Sequence, residues 1–268
     1  MSNTVSAIGI FDSGIGGLTV ANAIHRSFPE FPIIYFGDTA HLPYGEKSIE
    51  HIRMYSHRIV QFLIEKGCKL IVIACNSATS AAIESLQAEY SGTDITIIDV
   101  INPLVNEITR SSYQKVGVIA TKATVNSQIY QNKIQAQRPD IEVKALATPL
   151  LVPMIEEGFF TNNISHLVIN TYLQMPELQD IQALLLACTH YPLIKPEIEH
   201  YYKNKVIVYD SIQFVVEEVR RYLEKNEIKP QKHTVLNHFY VSEYTDSFKS
   251  TTKIFFGEQL NLEEVNIW

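Results

Sequence analysis

The sequence predicts an α/β protein built as two similar three-layer halves, each with a mainly parallel sheet between helices, and with the active site between the halves. Three observations predict this. Short apolar runs alternate with longer amphipathic stretches, the pattern of βαβ units and of parallel sheets. The length, 268 residues, suits two domains or one large one, and either can bury a core without disulfides or metals. Two pairs of segments also echo each other at a similar offset. Ile8-Gly9-Ile10-Phe11-Asp12-Ser13 resembles Val116-Gly117-Val118-Ile119-Ala120-Thr121, and Ile71-Val72-Ile73-Ala74-Cys75-Asn76 resembles Leu184-Leu185-Leu186-Ala187-Cys188-Thr189. In each, an apolar strand ends in a small polar or reactive side chain.

Taken in order, Ala7–Phe11 reads as a strand and Gly16–Phe28 as a helix stopped by Pro29. Pro32–Phe36 is the next strand. Ser48–Lys66 is a long helix, with Ser48 as N-cap and Glu50 and His51 in its first turn. Lys69–Ala74 is a strand and Thr79–Tyr90 a helix. Ile95–Val100, Lys115–Ala120, Ile141–Ala145, Ile181–Ala187 and Val206–Tyr209 read as further strands. Helices are expected near Pro103–Arg110, Thr124–Gln137 and Asn163–Gln174. Beyond Asp210 the pattern changes: Ser211–Lys225 is helical, and His233–Val241 and Lys253–Phe256 read as strands. No linker, low-complexity tract or long charge run marks a boundary.

Composition narrows the function. Lys plus Arg is 22 against 29 Asp plus Glu, a formal charge of −7. An acidic chain without a cationic run lacks the footprint of a nucleic-acid binder. The start, Met1–Ala7, lacks the basic and apolar parts of a signal peptide. Runs such as Leu70–Cys75 and Ala183–Cys188 fall far short of the roughly 20 residues of a membrane span. The expectation is a cytoplasmic protein with neither nucleic-acid nor membrane partner. Three cysteines do not make a disulfide framework.

Two of those cysteines carry the chemistry. An isolated cysteine is usually an inert buried residue, and Cys68, placed before its strand, reads that way. Cys75 and Cys188 instead follow equivalent strands, where α/β proteins bind ligands. Asn76 and Ser77 follow the first, and Thr189 and His190 the second. A cysteine-phosphatase loop would need an arginine six positions on, where this chain has Ala81 and Ile194. There is no C-x-x-C, so a thioredoxin-like pair is unsupported. Cys188-Thr189-His190 is too compact for the usual zinc patterns, and no metal is expected. A Cys–His hydrolase stays open but lacks a family signature.

What remains is a pair of thiols facing one pocket from two halves. Such a pair suits inversion of a stereocentre. One thiolate takes the Cα proton and the other thiol returns a proton to the opposite face. An acidity mismatch of ~10 units between amino-acid Cα and thiol amounts to roughly 14 kcal/mol. The site must therefore stabilise the developing carbanion, for which fixed dipoles are the usual device.

Two loops have the composition of binding segments. Asp12-Ser13-Gly14-Ile15-Gly16-Gly17 follows the first strand. It is neither the dinucleotide fingerprint, because Thr19 stands at the last position, nor a P-loop. Its glycines let backbone N–H groups approach an anion, a carboxylate as readily as a phosphate. Asp12 is suited to an ammonium group or to positioning a thiol. Gly37–Gly45, rich in Gly, Pro and polar groups, is the second. Each also reads as an ordinary structured turn, and His190 alone as a structural histidine.

Six stretches together resemble the cofactor-independent aspartate/glutamate racemase family, its glutamate-racemising members in particular. They are Gly9–Gly17 (GIFDSGIGG), Gly37–Gly45 (GDTAHLPYG), Ile73–Thr79 (IACNSAT), Gly117–Thr124 (GVIATKAT), Leu151–Gly158 (LVPMIEEG) and Leu186–Leu193 (LACTHYPL). Each is modest alone, but their order and spacing are specific, and the likeness weakens through the tail. The resemblance implies that Cys75 and Cys188 are the acid/base thiols, assisted by Asp12, Glu156 and His190. It implies substrate contacts from Asp12, Ser13, Pro43, Tyr44, Gly45, Asn76, Ser77, Thr121, Thr124, Thr189 and His190. Glu157, adjacent to Glu156, competes for its role.

The resemblance further implies glutamate as substrate, no cofactor, D-glutamate supply for peptidoglycan, and a homodimer. Its two halves would be residues 1–99 plus 210–268, a discontinuous first domain, and 100–209. Two positions depart from the family pattern: Ser77, where Thr is commoner, and His41, where Arg is commoner. A racemase for aspartate or another amino acid is the nearest alternative. The Cys-Thr-His triplet favours glutamate, since aspartate racemases tend to place Glu at the third position. A non-catalytic amino-acid-binding protein on the same scaffold is the other, and the retained thiol pair argues against it.

Overall fold

The computed structural model describes residues 4–5, 7–230 and 236–268. The chain opens with β1 (Thr4–Val5) and β2 (Ile8–Asp12), then α1 (Leu18–Ser27), β3 (Ile33–Gly37), α2 (Ile49–Glu65), β4 (Leu70–Ile73), α3 (Asn76–Glu89) and β5 (Thr96–Asp99). It continues through α4 (Asn102–Arg110), β6 (Lys115–Ala120), α5 (Lys122–Asn126), α6 (Ile129–Gln137), β7 (Glu142–Ala147), α7 (Leu151–Glu156), α8 (Asn163–Leu173), β8 (Ala183–Ala187), α9 (Lys195–Tyr202) and β9 (Ile207–Tyr209). It then returns through α10 (Ile212–Lys225), β10 (Lys229–Pro230), β11 (His238–Val241), α11 (Asp246–Phe256) and β12 (Leu262–Glu264). Two compact units result: Met1–Val100 with Ile212–Trp268, and Ile101–Ser211.

The first unit holds a six-stranded sheet in the order β12-β11-β3-β2-β4-β5, and the second a four-stranded sheet in the order β7-β6-β8-β9. Every pairing within them is parallel. A short parallel pairing joins β1 to β10. The echoing segments fall on β2 and β6 and on β4 and β8, and the order β3-β2-β4-β5 repeats as β7-β6-β8-β9. The sequence reading of two similar parallel α/β halves is therefore the observed architecture.

The sequence explains why these strands lie in the middle. β4 (Leu-Ile-Val-Ile) and β8 (Ala-Leu-Leu-Leu-Ala) are buried along their whole length, as helices on both faces of a parallel sheet require. Each leucine, isoleucine or valine so buried contributes about 1.5–3 kcal/mol. The helices bury one stripe each; α10, for example, turns Val215, Val216, Val219 and Leu223 inward. Their ends are capped as the sequence suggests: the Ser48 hydroxyl accepts from the His51 N–H at 3.3 Å.

Several expectations need correction. Lys253–Phe256 is not a strand but the last turn of α11, which Thr245 caps at its start and Gly257, at φ 91°, ends. A short apolar run has no period of its own to decide between strand and helix. The helix expected over Thr124–Gln137 is two helices, because Gln128 sits at φ 55° between α5 and α6. The helix expected from Thr79 starts at Asn76, where Cys75 itself provides the N-cap. The helices α7 and α9 and strand β12 were not anticipated. Of the strand expected over His233–Val241, residues 238–241 form β11, and 233–235 lie outside the described residues.

Candidate active site

In the first unit the parallel register brings three strand ends together. The ladder continues past the strands, with the Ala74 N–H donating to the Phe11 carbonyl at 2.8 Å and the Asp38 N–H to the Asp12 carbonyl at 3.1 Å. Asp12, the loop after β3, and Cys75 therefore lie at one end of the sheet. Asp12 is fully buried and accepts from the Gly14 N–H at 3.0 Å. The Cys75 thiol donates to the Ser13 hydroxyl at 3.6 Å and accepts from the Ala78 N–H at 3.3 Å. Burial, reinforced by the Asp12 charge, pushes the Cys75 thiol up to about 12. Asn76 and Ser77 are buried in the first turn of α3.

The turn after Asp12 is fixed by close packing. The Tyr35 hydroxyl donates to the Gly14 carbonyl at 2.8 Å. A Cβ on Gly37 would lie 2.2 Å from that same carbonyl oxygen, and one on Gly17 would lie 2.4 Å from the Asp12 Cβ. Only glycine fits at either position.

The loop Gly37–Gly45 is organised by a residue that sequence reasoning passed over. Asp38, fully buried, accepts from the Tyr44 hydroxyl at 2.6 Å and from the Ser242 hydroxyl at 2.8 Å, and meets His41 Nδ1 at 2.9 Å. Burial and the Asp38 carboxylate hold the Tyr44 hydroxyl well above its ordinary value. Tyr44 is buried, Gly45 half-buried and Pro43 exposed. The carboxyl group of Asp38 was visible inside the quoted motif, whereas Ser242, which joins from the end of β11, carried no signal.

The second unit repeats the placement. Thr121 follows β6, Thr148 follows β7 and Cys188 follows β8. The Cys188 Sγ is 3.7 Å from His190 Nδ1, and His190 Nε2 is 2.9 Å from Glu156 Oε1. Burial alone would lower the His190 pKa. Hydrogen bonds and charge from Cys188 and Glu156 override it and raise the pKa to about 10. The imidazole is therefore charged at neutral pH. Glu157 is exposed, and it is Glu156 that meets the histidine.

The remaining expected residues of this unit lie at the same end of its sheet, where Ala120 pairs with Ala187. Thr189 Oγ1 lies 3.5 Å from His190 Nδ1. The Thr121 hydroxyl caps α5, accepting from the Thr124 N–H and donating to the Thr124 hydroxyl at 3.2 Å. A buried pair not anticipated from sequence, Thr148 and Tyr191, joins hydroxyl to hydroxyl at 2.7 Å beside them.

Each unit thus presents a buried free thiol at the carboxyl end of its sheet. In the first the sulfur sits with a hydroxyl and a buried carboxylate. In the second it sits with an imidazolium and a carboxylate. Among the described residues no group of three or more His, Cys, Asp or Glu is arranged to hold a metal ion, and no helix is long and apolar enough to cross a membrane.

Known proteins share both the sequence and the fold. A glutamate racemase of Geobacter metallireducens is 40% identical over 258 residues, 95% of this chain and 94% of its own. One from Chlorobaculum parvum is 36% identical, covering 96% and 95%. The crystal structure of glutamate racemase from Francisella tularensis in complex with D-glutamate superposes with a TM-score of 0.91 at 37% identity, over 98% of each chain. The family model described as Asp/Glu/Hydantoin racemase matches residues 18–219, a span that takes in both thiols. By that match and by full-length likeness to its members, the chain belongs to the Asp/Glu/hydantoin racemase family.

Proposed function

We propose that this chain interconverts L- and D-glutamate without an organic cofactor, using Cys75 and Cys188 as the two acid/base groups. The observation that carries this reading is the matched pair of thiols, each at the carboxyl end of a parallel sheet and each with its own polar partners. Binding alone needs no such pair. Relatives of 36–40% identity named glutamate racemase, one solved structure with D-glutamate bound among the neighbours, support the substrate.

Inversion by this route requires a thiol on each face of Cα, one from each unit. One thiolate takes the Cα proton, and the bonding pair stays on carbon as a carbanion delocalised into the carboxylate. The other thiol delivers its proton to the opposite face. The net change is inversion, with one proton gained and one lost by the sulfurs. The products are the opposite enantiomer and an enzyme whose thiols have exchanged protonation states.

The surroundings divide the labour. Cys75, with its pKa at about 12, rests as a thiol and is the natural donor. In the reverse direction it must carry negative charge, and Ser13 and the Ala78 N–H lie within reach of its sulfur. His190, charged and anchored on Glu156, offers Cys188 a hydrogen-bond donor whenever that sulfur bears charge. Asp12 is placed to meet the substrate ammonium. The backbone N–H groups that open the Tyr44–Glu46 turn, with Pro43 ahead of them, suit a carboxylate. Asn76, Ser77, Thr121, Thr124 and Thr189 supply the remaining polar contacts. In this reading D-glutamate feeds peptidoglycan synthesis in the cytoplasm, and the working form is a homodimer.

The test is incubation with L-glutamate in D2O without cofactor, following optical rotation and loss of the Cα proton together. Racemisation with deuterium at Cα is the expected result. Turnover of aspartate in place of glutamate would overturn the substrate. A folded, reduced protein that exchanges no amino acid at all would overturn the mechanism.

A further inference from the structure

Trp268 is the only tryptophan in the chain, and its place has no role in the chemistry above. Its ring meets His41 edge-on, with centroids 4.5 Å apart, and Tyr55 at 5.2 Å. His41 stacks on Tyr55 at 4.1 Å. The backbone next to it is tied to α2, because Arg58 Nε donates to the Ile267 carbonyl. From His41 the path continues inward. Nδ1 lies 2.9 Å from Asp38 Oδ1, and Asp38 Oδ2 accepts from the Tyr44 hydroxyl at 2.6 Å. Tyr44 and Tyr55 close the group, with ring centroids 5.9 Å apart.

This arrangement differs from an ordinary core cluster in one respect. Trp268 remains 45% exposed, so it buries less than a core aromatic would, and its ring contacts go to the residues that hold one loop. His41 supports this use. Its flat ring lies against Tyr55 and stands nearly at right angles to Trp268, while one nitrogen reaches the buried carboxylate.

We propose that Trp268 is a positioning residue: through His41 and Asp38 it sets the placement of Tyr44 and of the loop 38–45. The inference rests on the assignment of that loop to the substrate carboxylate. Trp268 touches neither the thiols nor the groups paired with them, so it acts on binding and leaves the proton-transfer step alone.

The experiment compares Trp268→Ala and Trp268→Phe with the unaltered protein. Loss of an aromatic contact of this kind should raise KM for glutamate about 3–10-fold, with kcat held within about twofold. Phe, which keeps a ring, should restore most of the loss. A second reading needs no turnover. The indole emission of the otherwise unaltered chain, which comes from Trp268 alone, should shift in Tyr44→Phe, because that change releases the far end of the Asp38 link. An unchanged KM in Trp268→Ala overturns the proposal. So does a collapse of kcat with a lowered Tm, or an emission spectrum identical in Tyr44→Phe and the parent. If the parent protein fails to racemise glutamate, the proposed function fails, and the emission comparison alone decides the coupling.

Discussion

His190 Nε2 stands 2.9 Å from Glu156 Oε1, while Nδ1 of the same ring faces the Cys188 sulfur at 3.7 Å. The imidazole thus joins a carboxylate to a thiol, and its pKa, about 10, follows from that position. Glu156→Gln keeps a hydrogen-bonding group and removes the charge. The His190 titration should then fall from about 10 toward its ordinary value of 6.5, as read from the imidazole ring resonances by NMR. Glu157→Gln should leave it in place.

The same shift has a consequence for stability. A group whose pKa is raised on folding holds its proton more tightly in the native state. Its contribution is fully present below about 6.5 and is lost as pH rises through about 10. For His190 it is on the order of a few kcal/mol. Urea midpoints measured across that window should fall for the parent protein and fall less for Glu156→Gln, in which the Cys188 contribution to the His190 shift remains.

Cys75→Ala and Cys188→Ala should each fold and each lose racemase activity by about 10²–10⁴-fold, the usual contribution of one acid/base group. Optical rotation with purified D- and L-glutamate checks both directions. Near-normal turnover in either variant would leave the two-thiol mechanism without support.

Asp12 raises the Cys75 pKa, but burial contributes more. In Asp12→Asn, native-state alkylation of Cys75 should therefore begin at a lower pH, while most of the protection remains. Cys68, raised to about 12 by burial alone, should be unaffected and serves as the internal reference. Mass spectrometry of each cysteine peptide after pH-stepped alkylation reads the difference.

Gly37→Ala places a methyl 2.2 Å from the Gly14 carbonyl oxygen. The backbone of the Asp12–Gly17 turn cannot yield without losing the Tyr35 hydrogen bond. The expected cost is at least about 1–3 kcal/mol, with activity reduced as well. Thr148→Val is the milder case. It removes the 2.7 Å hydroxyl pair with Tyr191, but that hydroxyl still reaches the Thr148 carbonyl at 3.3 Å. About 1 kcal/mol is expected, and thermal unfolding ranks the two.

The strands and both thiols were legible because their signals are local. A fully apolar run such as Leu184-Leu185-Leu186 names its own burial, and a cysteine directly after it needs no distant partner to be noticed. Features that depend on remote residues were not legible. Asp38 draws its importance from Tyr44, His41 and Ser242, the last more than 200 positions away. The break between α5 and α6 rests on one backbone angle at Gln128, a residue with no strong preference for it. Lys253–Phe256 carried an apolar run that fits either a strand or a helix end, and Thr245 and Gly257 decided it. The resemblance supplied Glu156, whose partner His190 lies 34 residues on, beyond any local pattern.

The strand order of the first unit also has a consequence for synthesis. β11 lies directly against β3, with Phe239 opposite Tyr35 and Val241 opposite Gly37, and β12 lies outside β11. While a ribosome is still making the second unit, which is contiguous in the chain, β3 has an unpaired, largely apolar edge. That edge is a template for pairing with other nascent chains. Translation arrested before residue 238 leaves it permanently open. The interval between the emergence of β3 and that of β11 is thus the period in which this edge is open to the pairing of other chains.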